Sequence, residues 1–463
     1  MRRGRNRNDR PPGGGHDNPR DTRGPARPER GKSRKPSGRP EQPGARKHAG
    51  RPEQAAARNS SGRPQQAAAR NERGGVEGRS ARHGGSVEGR NAYTSRDRFS
   101  RSEREDRGPK PAPVPQGALP SPGEFLWTCR EAFENDLASE LRAAGREIAP
   151  RVAAPSVVVT SRLPAKREDR YDVTFARQMV PAQHVIRASG ASDLDARVTA
   201  ALRESTGDGA WALHVWVPDS THANRLARSA EVLQRAIEMR AGAVDARWAD
   251  RRVPDARAAR DAGGVLAQVC LVEPSLAIVG AYPARDALSL HPGGRARMRV
   301  DDAAPSRAAM KLEEALDWLG VAPGKGDVCV DLGAAPGGWT YVVMERGARV
   351  VAIDPGAMSP TLASRRALTQ IRGSAFDYEP REGVDWLLCD MVWRPLEVAS
   401  LLARWARKRW ARMLVANIKL PMRGKAEFLV RVRKILEEGG WQSLRMRQLY
   451  HDREEITLTA HSS

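Results

Sequence analysis

Apolar side chains are sparse over residues 1–120 and then settle into two successive rhythms. The first is mixed. Glu124–Thr128 predicts a short strand, and Phe133, Leu137 and Leu141 recur at helical spacing within a predicted helix over Glu131–Ala144. Val157–Val159 predicts a buried strand, Tyr171–Phe175 a half-exposed alternating one, and Ala212–Val217 another. Helices are predicted over Leu194–Glu204, with Ser192 as N-cap, and over Ala223–Arg240. Val265–Val272, a turn at Glu273-Pro274-Ser275 and Leu276–Tyr282 predict a β-hairpin. This is the patterning of an α+β region, and no group of titratable residues in it has catalytic character.

The second rhythm begins near residue 303, where strands alternate with helices. A helix is predicted over Ala303–Leu319, then strands over Val328–Leu332, Arg349–Ile353, Trp386–Cys389, Met413–Ile418, Trp441–Leu449 and Ile456–Ala460. Helices over Leu396–Lys408 and Lys425–Glu438 fill the gaps. Val328–Leu332 is apolar almost throughout, as in a strand buried on both faces of a parallel sheet. The expectation is a doubly wound α/β domain over residues 289–463, preceded by an α+β region over 123–288.

Composition separates off the remainder. Residues 1–120 hold 29 Lys+Arg against 13 Asp+Glu, most of the chain's net charge of +22, and have two aromatics, Tyr93 and Phe99. Such a stretch cannot bury enough apolar surface to offset chain entropy, so residues 1–122 are expected to be a disordered basic tail. Gly38-Arg39-Pro40-Glu41-Gln42 recurs at Gly50 and, as Gly-Arg-Pro-Gln-Gln, at Gly62; the period is too short and too polar for a stacking repeat. The tail reads equally as a polyanion-binding arm or as a passive linker. No apolar run is long enough to span a membrane, and no signal-peptide apolar core begins the chain. Cys129, Cys270, Cys329 and Cys389 are scattered, which implies neither a disulfide framework nor a zinc site and fits a reducing cytoplasm.

Chemistry enters through two lysines. Among 78 basic residues 67 are arginine, yet lysine stands at Lys311 and Lys419. Arginine does not release its proton near neutral pH, whereas lysine can. Between them, Gly333-Ala334-Ala335-Pro336-Gly337-Gly338 follows a predicted strand and opens a helix, where glycines let a ligand approach the backbone. Asp354 ends the next strand, where an acidic residue would bind a ribose diol. The spacing is not Gly-x-Gly-x-x-Gly, and Pro336 removes an N–H that a pyrophosphate would want. S-adenosylmethionine, a sulfonium nucleoside without phosphate, fits better than NAD or FAD. No metal is expected. Asp390 ends the strand over Trp386–Cys389, Lys419 ends that over Met413–Ile418, and Glu455 begins the last, so with Lys311 on the entering helix all four could open on one crevice. A ribose hydroxyl needs a base, and a lysine serves if nearby positive charge drives off its proton. Each of the four taken singly reads as well as a solvated surface charge. Cys389 neighbours Asp390 but alternates to the opposite face, and reads as a buried small hydrophobe rather than a nucleophile. The Asn/Asp-Pro-Pro-aromatic signature of amino-group methyltransferases is absent; Asp390-Met391-Val392-Trp393 stands there.

Ser306-Arg307-x-x-x-Lys311-Leu312, Asp331–Trp339, Cys389-Asp390-Met391, Leu420-Pro421-Met422 and Gln448–Glu455 together resemble the bacterial 23S ribosomal RNA ribose 2′-O-methyltransferase M family, within the FtsJ-like methyltransferases. Phe175-Ala176-Arg177-Gln178 extends a weaker resemblance to the preceding half. The resemblance implies a Rossmann-like class I methyltransferase domain, preceded by a ferredoxin-like segment and a THUMP RNA-binding module. It also implies a catalytic tetrad of Lys311, Asp390, Lys419 and Glu455 with Lys419 as proton acceptor. Ser306, Ala335, Pro336, Gly337, Gly338, Asp354 and Asp390 would contact the cofactor, with Gly333 in the same loop. Where the family has an acidic residue after the third strand, this chain has Ser374, with Asp377 three residues on. Glu454 competes with Glu455 for the last tetrad place; Glu455 directly precedes the alternating strand. The implied substrate is a cytidine ribose near the peptidyl-transferase centre, presented on naked large-subunit RNA or an assembly intermediate. A non-catalytic RNA-binding assembly factor, or the same chemistry on another RNA, are the alternatives.

If the tail is a polyanion arm, removing residues 1–120 should weaken RNA binding and flatten its dependence on salt. Filter-binding titrations over a range of potassium chloride would test this; equal slopes for both proteins would make the tail a passive linker.

Overall fold

Residues 119–299 and 301–462 are described by the structure, a computed structural model. The expected basic tail, apart from its last few residues, lies outside the described residues.

Three sheets organise these residues. The first has the order β2-β3-β1-β4 and is antiparallel throughout. Its strands are β1 (Phe125–Thr128), β2 (Arg151–Ala154), β3 (Val157–Thr160) and β4 (Gln178–Pro181), with helix α1 (Glu134–Ala144) packed on one face. The second sheet, β5-β8-β7-β6, uses β5 (His184–Arg187), β6 (Trp211–Trp216) and the expected hairpin, β7 (Val265–Glu273) with β8 (Leu276–Pro283). Helices α3 (Ala191–Thr206) and α4 (Ala227–Val244) bury Leu194, Val198, Leu202, Leu233 and Ile237 against it.

Several expectations fail here. Tyr171 closes a short helix, α2 (Arg167–Tyr171), and no strand covers residues 172–175. The Glu140 carboxylate accepts the Thr174 and Phe175 N–H groups at 3.0 and 2.9 Å, so a side chain replaces a strand partner. Ser192 lies inside α3, whose N-cap is Gly190. Residues 223–226 form a 3-10 turn before α4.

The third sheet has seven strands in the order β11-β10-β9-β12-β13-β15-β14. β9 (Val328–Leu332), β10 (Arg349–Ile353), β11 (Leu368–Ile371), β12 (Val384–Cys389) and β13 (Ala411–Lys419) run parallel. β15 (Glu455–Ser462) lies antiparallel between β13 and β14 (Trp441–Arg447). Helices α7 (Ala309–Leu319), α8 (Gly338–Glu345), α10 (Pro395–Arg407) and α11 (Lys425–Glu438) cover the two faces. This is the expected doubly wound α/β architecture. The helix expected from Ala303 begins instead at Ala309; Pro305 keeps residue 304 out of helical backbone, and residues 305–308 form a bend and a turn. Strand β14 ends at Arg447 rather than Leu449.

The halves are pinned together by buried polar contacts. Arg447, 3% exposed, donates to the Leu288 and Tyr171 carbonyls at 2.9 and 3.0 Å, and Gln448 N–H donates to the Thr174 carbonyl at 2.8 Å. Among the described residues no helix is long and apolar enough to cross a membrane.

The first two sheets meet closely where β8 passes β4. A Cβ added to Gly280 would fall 1.8 Å from the Pro181 carbonyl oxygen, part of the backbone. Gly280→Ala should therefore cost roughly 2 kcal/mol or more, read as a lowered urea midpoint. An unchanged midpoint would mean that the sheets separate there without strain.

Candidate active site

Parallel strands deliver their last residues to one edge of the sheet, and the crevice lies outside that edge. Asp390 follows β12 and Lys419 ends β13. Glu455 reaches the same edge because β15 is antiparallel, so its first residue sits opposite the last residue of β13. Lys311 projects from the first turn of α7.

These four side chains form one chain of contacts. Lys311 Nζ lies 3.2 Å from both Asp390 carboxylate oxygens and 2.6 Å from Glu455 Oε1. Lys419 Nζ lies 2.8 Å from Glu455 Oε2. Glu454 points elsewhere: its side chain is exposed, and its carbonyl accepts the Leu420 N–H at 2.8 Å. Burial alone would raise the Glu455 carboxyl, but the two ammonium groups outweigh it and hold the acid below its usual range. Burial opposes the charge on Lys311, yet Asp390 and Glu455 overcome it and raise the ammonium above its ordinary value. For Asp390 burial wins, and its carboxyl is raised despite Lys311. Lys419 differs from Lys311 in having a contact to a single carboxylate and a side chain 40% exposed.

The glycine-rich loop borders this group. Gly333 and Gly337 both take positive φ, at 77° and 113°. A Cβ on Gly333 would fall 2.6 Å from Met391 Cγ, and one on Gly338 would fall 2.3 Å from Ser306 Oγ. Pro336 is joined to Ala335 by a cis peptide bond. Asp354 follows β10 and accepts the Ala335 and Gly356 N–H groups at 3.1 and 2.6 Å, tying the loop to the next strand end. Ser306 precedes α7, and its Oγ is buried without a hydrogen-bond partner. Ser374 and Asp377 are exposed on the segment after β11; Ser374 Oγ accepts the Phe376 N–H at 3.1 Å.

A further carboxylate lies just before the loop, on β9. Asp331, 1% exposed, accepts the Thr340 hydroxyl at 2.6 Å. Burial pushes its carboxyl up to about 7, and the like charges of Asp390 and Asp354 add to this. An acid-rich wall with an unpartnered hydroxyl and glycine backbone fits a cationic nucleoside. It does not fit a pyrophosphate, which these carboxylates would repel. Cys389 is fully buried, and burial pushes its thiol up to about 12, so it is packing rather than a nucleophile.

Glu314 was invisible as a functional residue. It lies one turn beyond Lys311 on α7, is 4% exposed, and accepts the Tyr450 and His451 N–H groups at 2.7 and 2.9 Å. Those residues belong to the loop that leads into Glu455. One helix thus carries both an amine that binds Glu455 and an acid that holds the approach to it. Arg177 grips the loop from outside, donating to the Leu449 carbonyl at 3.3 Å and lying over the Tyr450 ring.

Known proteins resemble this chain over much of its length. A family model described as FtsJ-like methyltransferase matches residues 304–403. The chain is 34% identical over 358 residues to the ribosomal RNA large subunit methyltransferase M of Alkalilimnicola ehrlichii, covering 73% of this chain and 94% of that protein. Against the protein of the same name from Methylococcus capsulatus it is 33% identical over 364 residues, covering 73% and 98%. Against that of Halorhodospira halophila it is 46% identical over 172 residues, covering 36% and 50%.

Burial pushes the Glu314 carboxyl up to about 7, against the two N–H donors that favour its charge. The folded protein therefore binds this proton more tightly than the unfolded chain. The group's contribution to stability is full below about 4.5 and declines as pH rises through about 7. Relative to wild type, Glu314→Gln should become more stable by on the order of 2–3 kcal/mol between pH 5 and pH 8, read from urea unfolding at each pH. A relative stability that falls with rising pH would mean that the two N–H donors dominate.

Proposed function

The chain belongs to the ribosomal RNA large subunit methyltransferase M family, and from that membership we propose that it methylates a ribose 2′-hydroxyl of large-subunit ribosomal RNA. S-adenosylmethionine is the methyl donor, and its sulfonium supplies an electrophilic methyl carbon. The observation that carries the reading is the unbroken Asp390–Lys311–Glu455–Lys419 contact chain beside the glycine-rich loop.

Within that chain the two lysines have different work. Lys311 touches both carboxylates and is held cationic, so it orients Asp390 and Glu455 and supplies fixed positive charge. Lys419 Nζ has one carboxylate partner and opens on the crevice, where an incoming hydroxyl can reach it. Lys419 Nζ, having released its own proton to solvent, takes the 2′-hydroxyl proton as the oxygen bonds the methyl carbon. Glu455 Oε2 then holds the ammonium so formed. Ser306, Gly333, Ala335, Pro336, Gly337, Gly338 and Asp354 would hold the cofactor, with Asp354 on the ribose diol and Asp390 toward the sulfonium. Ser374 would stand near the adenine in place of an acid. Much of the rate comes from holding acceptor and donor in line.

The first two sheets, within residues 123–288, would grip the RNA as a ferredoxin-like segment and a THUMP module, leaving residues 289–463 to catalysis. The substrate would be naked RNA or an assembly intermediate in the cytoplasm, since a site near the peptidyl-transferase centre is enclosed once the subunit matures.

Lys419→Ala should lower methyl transfer by about a hundredfold to ten-thousandfold while binding of S-adenosylmethionine and of RNA persists. The assay is transfer of labelled methyl groups to deproteinised large-subunit RNA, with 2′-O-methyl mapping of the product. Undiminished ribose methylation by the variant would defeat the assignment of the base.

A further inference from the structure

The loop after β12 carries a side chain that packing does not explain. Trp393 is 52% exposed. Among the described residues it is the one exposed Phe, Tyr or Trp; the other tryptophans are buried or half-buried. It stands three residues after Asp390, and three residues of chain reach at most about 10 Å. The loop that carries the indole therefore starts at the proposed methyl-transfer site, with the Trp393 Cα within about 10 Å of that of Asp390.

Its orientation is fixed. The indole Nε1 donates to Glu397 Oε2 at 2.7 Å, and its ring meets Phe376 at a centroid distance of 5.7 Å with planes tilted 52°. Glu397 is itself steadied by Arg394 at 3.0 Å. An indole with its polar edge satisfied and its ring braced loses little freedom when a flat partner arrives. The surroundings match such a partner. Val392 and Met422 are 65% and 74% exposed, on the loops that follow neighbouring strands β12 and β13. Arg394, its side chain 81% exposed, adds a guanidinium beside the indole. Apolar faces with an aromatic plate and a flanking guanidinium suit an unpaired nucleotide, whose base stacks and whose phosphate meets the cation.

We propose that Trp393 is a stacking platform for an unpaired base of the RNA substrate, at or next to the nucleotide whose ribose enters the cleft. This rests on the ribose-methylating reading above and names the part of the substrate that the site's rim recognises. The platform holds the acceptor's base, so the 2′-hydroxyl is presented to Lys419 only from a strand whose base can leave its helix.

The test uses the full chain with deproteinised large-subunit RNA. For Trp393→Ala, KM for RNA should rise by on the order of tenfold or more. Trp393→Phe, which keeps an aromatic face, should recover most of that loss, and the S-adenosylmethionine affinity of both variants should match wild type. That equal affinity also reports that the alanine variant folds. KM and kcat for Trp393→Ala within twofold of wild type would overturn the platform and leave the enzymatic reading standing. So would a Trp393→Phe variant as impaired as Trp393→Ala, since stacking would then not be what the indole supplies. Failure of the wild-type protein to methylate any ribose would instead overturn the enzymatic reading, and the platform with it.

Discussion

One buried carboxylate governs the geometry of the doubly wound half. Glu455 has a side chain only 5% exposed and meets ammonium groups from two elements that are far apart in sequence. A charge so buried is costly unless its partners are held at hydrogen-bonding distance. Helix α7 must therefore stay against the carboxyl edge of the sheet, and β13 and β15 must stay in one register. The strand order follows from the same need. A sixth parallel strand would begin at the far edge of the sheet. Only an antiparallel β15 brings a strand's first residue to the edge where Asp390 and Lys419 end, and the Lys419–Glu455 cross-strand pair is the direct result.

The loop before Glu455 receives support from both halves of the protein. Glu314 holds it from within, through two peptide N–H groups. Asp452 closes it on itself, accepting the Leu449 N–H and the Thr457 hydroxyl at 2.9 Å each. Burial, with Glu314 and Glu455 nearby, raises the Asp452 carboxyl well above its usual value. Arg177 of the first half and Arg295, just beyond it, lie with their guanidinium groups over the Tyr450 ring at 5.4 and 5.5 Å and both pair with Asp219 of the first half. Movement of the first two sheets would thus be felt at the base of Glu455.

What the chain reveals on inspection follows from how local each signal is. β9, β10, β12 and β13 are legible because strands buried on both faces are apolar along their length, and because charged residues interrupt them where they open on the crevice. β11 is not, since Leu368-Thr369-Gln370-Ile371 is an edge strand that buries little. Residues 172–175 alternate like a strand but take their partner from Glu140, 34 residues earlier for Thr174. No local pattern encodes that exchange. The meeting of Lys311, Asp390, Lys419 and Glu455 was readable from strand ends and from resemblance to a known family. Asp331, Glu314 and Trp393 were not, because their meaning lies in depth and exposure.

The choice of lysine over arginine is the last constraint, and it is a chemical one. Arginine supplies 67 of the chain's 78 basic residues and forms most of its ion pairs, including the buried Arg177–Asp219 contact. A guanidinium at position 419 would bind Glu455 through two parallel hydrogen bonds and hold it at least as well. It could not serve as the proton acceptor proposed for Lys419. At position 311 a guanidinium would keep the fixed charge but spread it over a planar fork. A single Nζ instead reaches Asp390 at 3.2 Å and Glu455 at 2.6 Å from one point. On the proposed reaction, position 419 needs a side chain that can lose a proton, and position 311 one compact enough to reach two carboxylates.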